Sequence, residues 1–184
     1  MTSNALRRAD LDPQPIMIPG IAADGGLYPI EKMEAHRSGA FHLAISVFVF
    51  SRGELLIQRR ALGKYHCGGQ WANTCCTHPH WGEDAALSAR RRLREELGFS
   101  TPLRESRIVD YWADVGSDLV ENERVHMFLG EVDRDTLRAD PDPSEVAEIR
   151  WVGAAQLRSE IAATPLAFTP WFRIYVSRFP DLAF

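Results

Sequence analysis

Residues 42–50 (HLAISVFVF) repeat with a period of two. Leu43, Ile45, Val47 and Val49 face one way, and His42, Ala44, Ser46, Phe48 and Phe50 the other. Only a β-strand sends successive side chains to opposite faces. Ser51-Arg52-Gly53 reads as a hairpin turn, with a returning strand over Glu54–Arg60. The next periodic segment has a helical spacing. Ala86, Ala89, Leu93 and Leu97 form an apolar stripe within residues 83–97, and Gly98 stands where a C-terminal cap belongs. Further strands are expected over residues 108–115, 125–132 and 148–152, and a helix over 154–162. A last helix is expected to begin with Thr169 as N-cap and Pro170 at the first position, where its missing N–H is not needed. Strands and helices mix without regular β-α-β alternation, which makes the fold class α+β, with a mixed-sheet sandwich as the expected form.

Residues 1–20 contain Pro13, Pro15 and Pro19 and little periodicity, so they read as a loose arm. No repeat or linker divides residues 21–184, which read as a single domain. The net charge of −4 argues against broad binding to nucleic acid or to an anionic membrane. No apolar run reaches membrane-spanning length, and residues 1–12 lack the apolar core of a signal peptide. A cytoplasmic protein is expected. The cysteines are Cys67, Cys75 and Cys76. An odd count with two adjacent does not form a disulfide framework, and reduced thiols are expected.

The residues able to carry chemistry lie far apart in the chain. Asn73-Thr74-Cys75-Cys76-Thr77-His78-Pro79 holds a thiol and an imidazole, Glu121-Asn122-Glu123 holds two carboxylates, and His36 and His42 add two imidazoles. Only a folded domain brings them together. On a strand, Glu121 and Glu123 point to one face. Three imidazoles and two carboxylates make a mixed nitrogen and oxygen set suited to a first-row divalent ion. A closed structural zinc site would be richer in thiolate, and Cys75-Cys76 lacks the C-x₂-C spacing.

Glu83, Arg91, Leu93, Glu95, Glu96, Gly98 and Phe99 fit the spacing of the Nudix box. Two positions depart from it: Thr77 stands where the first Gly belongs, and Arg92 replaces a Glu. Exchanging a carboxylate for a guanidinium removes cation-binding charge and supplies a bidentate oxyanion partner. The segment thus resembles a diphosphate-binding helix more than a hydrolytic one. Several stretches together widen the resemblance: Glu31 to His36, His42-Leu43-Ala44, Arg59-Arg60-Ala61-Leu62, Trp71 to Pro79, Arg92 to Gly98, Val120 to Glu123, and Ala163 to Trp171. In this order they resemble the type 1 isopentenyl-diphosphate isomerases, a divergent branch of the Nudix superfamily.

The resemblance implies an α/β/α sandwich around a mixed sheet and an exchange of isopentenyl and dimethylallyl diphosphates by proton transfer. It implies Cys76 and Glu123 as the catalytic pair. His36, His42, His78, Glu121 and Glu123 are implied as ligands of one divalent ion, Mn²⁺ or Mg²⁺, with Zn²⁺ also compatible. The main-chain carbonyl of Cys76 and the Glu96 carboxylate are implied to hold a Mg²⁺ that bridges to the substrate. Lys32, Arg60, Lys64 and Arg92 match the family's diphosphate-binding residues. Trp171 and Tyr111 match its active-site aromatics, the first facing the developing cation and the second hydrogen-bonding the catalytic carboxylate. His66, His80, His126, Cys67 and Cys75 match no functional position. The surviving Glu95 and Glu96 leave a nucleotide diphosphohydrolase as the alternative.

Overall fold

The structure is a computed structural model that describes residues 15–183. Nine strands form one mixed sheet among the described residues, with helices on both faces. The elements are β1 (Met17–Ile21), β2 (Leu27–Glu31), α1 (Lys32–Ser38), β3 (His42–Ser51), β4 (Glu54–Arg60), β5 (Trp71–Ala72), β6 (Cys75–Thr77), α2 (Ala85–Leu97), β7 (Leu103–Gly116), β8 (Leu119–Glu131), β9 (Val146–Val152), α3 (Ala154–Ala163) and α4 (Pro170–Arg178).

β3 is the axis of the sheet. Along one edge it pairs in parallel with β8, from His42 opposite Glu123 to Phe50 opposite Glu131. Along the other edge it meets three antiparallel partners in turn: β1 at His42, β6 at Ile45 to Val47, and β4 at Phe50 and Ser51. The alternation read in residues 42–50 places its two sets in two cores. Ile45, Val47 and Val49 pack with Cys75, Ala89, Leu93 and Leu97 on the α2 side. Ala44 and Phe48 pack with Phe168, Trp171, Phe172 and Tyr175 on the α3–α4 side.

Local chemistry sets the element ends. The Asp84 side chain accepts from the backbone N–H groups of Ala86 and Leu87, capping α2. Gly98 ends that helix at φ 71°, and a Cβ there would fall 2.6 Å from the Asp140 carbonyl oxygen, so two constraints demand glycine. The β3–β4 hairpin turns through Arg52 and Gly53, at φ 52° and 79°. Both central residues lie in the left-handed region that two-residue hairpins favour.

The expected arm needs correction at its C-terminal end. Residues 17–20 belong to β1, which pairs with β2 and sets Pro19 opposite Pro29. Prolines suppress any strand signal, yet two residues without N–H groups that face each other leave few donors unmet. Residues 1–14 of the expected arm lie outside the described residues. Two more elements carried no periodic signal. α1 has only seven residues and is capped by Glu31, and β6 has three. The expected strands at 108–115 and 125–132 are longer, and β8 starts early enough to include Glu121 and Glu123. No helix among the described residues is long and apolar enough to cross a membrane.

Leu93 is fully buried on α2 while Leu87 on the same helix is 57% exposed. Leu93→Ala is expected to lower stability by about 2–5 kcal/mol, and Leu87→Ala by less than about 0.5 kcal/mol. Urea unfolding of the two variants checks this; equal losses would contradict the assigned faces.

Candidate active site

The imidazoles and carboxylates converge because several short elements end at the same place. Lys32 and His36 are four residues apart on α1 and share a face. The Asn122 amide donates to the Gly39 carbonyl at 2.9 Å, tying the end of α1 to β8. His42 opens β3 opposite Glu123 of β8, and Tyr111 of β7 lies opposite Glu123 on the other side. His78 comes directly after β6. The rings of His36, His42 and His78 stand 5.0–5.1 Å apart. Their ring nitrogens lie within 4.8 Å of one another, as do the ligand atoms of His78, Glu121 and Glu123.

This set fits a metal ion on the structure's own terms. His36 Nδ1 is 3.2 Å from the Val120 carbonyl, and His42 Nδ1 is 2.7 Å from the Ala40 carbonyl. A carbonyl only accepts, so both protons sit on Nδ1 and both Nε2 lone pairs face inward. His36 Nε2 is buried with no hydrogen-bond partner. His42 Nε2 and His78 Nε2 approach to 3.2 Å, and Glu123 Oε1 stands 2.8 Å from His78 and 3.5 Å from His42. Three electron-rich atoms thus crowd one point. Burial lowers the His36 pKa to about 4 and that of His78 well below its usual range, which keeps their lone pairs free at neutral pH. At His42 burial acts the same way, but the Glu123 carboxylate overrides it and raises the pKa. Tyr111 donates to Glu123 Oε2 at 2.6 Å and lies 3.4 Å from Glu121 Oε2. Its own ionisation is suppressed by burial.

Across the cavity from β8, β6 sets Cys76 opposite Ser46 of β3. The thiol donates to Asn73 Oδ1 at 3.0 Å and lies 3.5 Å from Ser46 Oγ, which in turn lies 3.1 Å from the Tyr175 hydroxyl. Burial pushes the Cys76 thiol up to about 12. It is a neutral thiol, suited to holding and moving a proton rather than to acting as a thiolate nucleophile. Cys75 points the other way into the α2 core, and Cys67 is half-buried in the 61–70 loop.

A cationic group lines the same cavity of about 250 Å³. Burial lowers the Lys32 pKa to about 8, aided by Lys64, Arg92 and Arg60. Lys64 and Arg92 both pair with Glu145, the latter at 2.6 Å. Arg92 Nε also holds Glu96 Oε1 at 2.7 Å, and the Gln58 amide donates to Glu96 Oε2 at 2.7 Å. Each carboxylate oxygen keeps a second acceptor direction. Within the box, Glu83 takes Arg91 in a fork of 2.7 and 2.8 Å, and Glu95 is a solvent-exposed partner of Arg91 at 3.0 Å. Only Glu96 of the box glutamates is buried, and it lines the cavity. Trp171, at the start of α4, completes the wall, with the Arg60 guanidinium 5.4 Å from its ring. α4 is anchored there because the Thr169 N–H donates to the Trp71 carbonyl of β5 at 2.9 Å.

Of the residues expected at the site, all but His36 and His42 line this cavity; those two are fully buried, with their rings against that of His78. Two more that the sequence did not single out are there. His66 lies against His36 and Glu121, and Glu145 binds two of the four cations. His66 sits in a glycine-rich loop without periodicity, and Glu145 comes after a Pro-rich break, so neither carried a pattern to read. His80 lines the cavity edge, while His126 is engaged by Glu105 away from it.

The NUDIX domain family matches residues 40–172. The crystal structure of DR0079 from Deinococcus radiodurans is similar at a TM-score of 0.64 and 15% identity, covering 80% of this chain and 89% of that one. A MutT protein from Methanosarcina mazei is similar at 0.59 and 17%, covering 76% and 92%. The fold and the helix-borne glutamate box define a Nudix-domain protein. Among curated proteins, the Isopentenyl-diphosphate Delta-isomerase of Rhodobacter capsulatus is 51% identical over 88% of this chain and 92% of its own length. Those of Cereibacter sphaeroides and Ruegeria pomeroyi are 54% and 51% identical, over 89% and 92% of this chain and 92% and 93% of their own lengths. The chain belongs to the isopentenyl-diphosphate Delta-isomerase family.

The depressed Lys32 pKa yields a pH prediction. An anion bound beside Lys32 favours its charged form and raises its pKa above about 8. Binding of inorganic pyrophosphate should therefore take up protons near pH 8.5 and weaken as pH rises further. Calorimetry in buffers of different ionisation enthalpy measures the uptake. Lys32→Met should remove that contribution, and identical uptake in both proteins would contradict it.

Proposed function

We propose that this chain interconverts isopentenyl diphosphate and dimethylallyl diphosphate by moving a proton from one side of the alkene to the other. The observation that carries the reading is a neutral, partly buried thiol, Cys76, and a buried carboxylate, Glu123, opening onto one cavity from strands on opposite edges of β3. The cationic group beside them suits the diphosphate. The membership of the family supports the substrate.

The alkene is a weak base and needs an acid held in place and shielded from water. Its π electrons take a proton at the terminal carbon, which leaves a tertiary cation. The electrons of a C–H bond on the next methylene then form the new double bond, and that proton leaves to the second group. One proton enters and one departs, so no co-reactant is consumed. Cys76 and Glu123 are the two groups, and Tyr111 orients the carboxylate through its 2.6 Å hydrogen bond. The Trp171 face stabilises the cation without trapping it, an effect worth about 2 kcal/mol in a desolvated site. Lys32, Arg60, Lys64 and Arg92 hold the diphosphate, with Arg92 and Lys64 exchanging Glu145 for phosphate oxygens.

A divalent ion fits among His36, His42, His78, Glu121 and Glu123, and it would supply charge that makes a carboxyl proton more acidic. Mn²⁺ suits this set, with Mg²⁺ and Zn²⁺ as the alternatives. Glu96 and the Cys76 carbonyl offer hard oxygens to a Mg²⁺ carried by the diphosphate. Nucleotide hydrolysis is the second reading. It is disfavoured because Glu95 is exposed and paired with Arg91, and Arg92 occupies a glutamate position of the box.

Cys76→Ala should lower turnover of isopentenyl diphosphate by at least about 10²–10⁴-fold, with fold and metal content retained. Glu123→Gln should do the same and also weaken metal binding. Steady-state conversion measured alongside metal analysis checks both. Near-normal turnover by Cys76→Ala would overturn the role of the thiol, and release of phosphate from a nucleotide panel would favour the hydrolase.

A further inference from the structure

His66 stands out as a buried imidazole with both ring nitrogens unpartnered. The residue is 7% exposed, and neither Nδ1 nor Nε2 makes a hydrogen bond. Nε2 approaches Glu121 Oε1 at 3.1 Å without hydrogen-bond geometry. A buried polar group left unsatisfied destabilises the fold that holds it. The surrounding structure nonetheless holds the ring in place. The His66 carbonyl accepts from the Arg60 guanidinium at 3.2 Å, and the next residue, Cys67, adopts a left-handed conformation at φ 52°. Tyr65 and Trp171 contact the ring edge-on at 4.3 and 5.7 Å, and His36 does so at 5.8 Å. The ring lines the cavity beside the imidazole and carboxylate cluster. One ligand atom each from His36, His66 and Glu121 lie within 4.8 Å of one another. That is the same spacing found among His36, His42 and His78.

We propose that His66 is a further ligand of the divalent ion. It completes a donor set of four imidazole nitrogens and two carboxylate oxygens with His36, His42, His78, Glu121 and Glu123. The inference rests on the metal reading of that cluster and adds a residue to it. Six protein donors match the coordination number of an octahedral first-row ion. A set this rich in nitrogen favours Mn²⁺, Co²⁺ or Zn²⁺ over Mg²⁺, which prefers oxygen ligands and retains water. One of the two unsatisfied nitrogens of His66 then has a partner, as does that of His36.

The test is proton and nitrogen NMR of the full chain labelled with ¹⁵N-histidine and loaded with Co²⁺, whose paramagnetism shifts the signals of directly bound imidazoles. The wild-type protein should show four strongly shifted imidazoles, and His66→Gln should show three. His66→Gln should also bind Co²⁺ at least about tenfold more weakly in a chelator competition. Three shifted imidazoles in the wild type would overturn the assignment of His66 while leaving the cluster reading intact, and this count does not depend on the variant folding. Absence of any shifted imidazole would overturn the metal reading and the proposal together. Unchanged Co²⁺ affinity in a folded His66→Gln protein would also overturn the role of His66.

Discussion

One register sets the site: the parallel pairing of β3 with β8 that places His42 opposite Glu123. The side-chain period of a strand is two, so a slip by one residue would turn every side chain to the other face. Glu121 and Glu123 would then enter the α2 core among Ile45, Val47 and Leu93, where an unpaired carboxylate is strongly disfavoured. The hydrophobic alternation that builds two cores thus also decides where the chemistry sits. β6 brings Cys76 opposite Ser46 of β3, and β7 brings Tyr111 opposite Glu123 of β8. Thiol, imidazole, carboxylate and phenol succeed one another across four neighbouring strands.

The cavity carries two opposed electrostatic problems. On one wall, imidazole nitrogens and carboxylate oxygens crowd together without enough protons to satisfy them. On the other, Lys32, Arg60, Lys64 and Arg92 share a small volume, and burial with mutual repulsion brings Lys32 down to about 8. Glu145 and Glu96 offset part of that positive charge through Lys64 and Arg92. A divalent cation on the first wall and a diphosphate on the second would each relieve the strain that burial creates. Functional sites accumulate such perturbed groups because selection for the bound state tolerates a less stable free one.

Much of this was legible in the sequence. The alternation of residues 42–50 located β3 and both cores, and the stripe ending in Gly98 located α2. Thr169-Pro170 located the start of α4, and with it Trp171. Glu121 and Glu123 share a face as their spacing requires. The elements that stayed hidden are short and owe their form to tertiary pairing. β1 contains Pro19, α1 is under two turns, and β6 is held by β3. His66 and Glu145 were hidden for a related reason. Their side chains acquire meaning from neighbours distant in sequence, Glu121 for one and Arg92 for the other, and no local period announces either contact.

A proton shift across one cavity is tested most directly by isotope incorporation. Metal-supplemented protein in D₂O with isopentenyl diphosphate, monitored by proton NMR, should yield dimethylallyl methyl signals that carry solvent deuterium, with the diphosphate intact. An unchanged alkene, or a new alkene formed without deuterium uptake at any turnover number, would contradict proton exchange through Cys76 and Glu123.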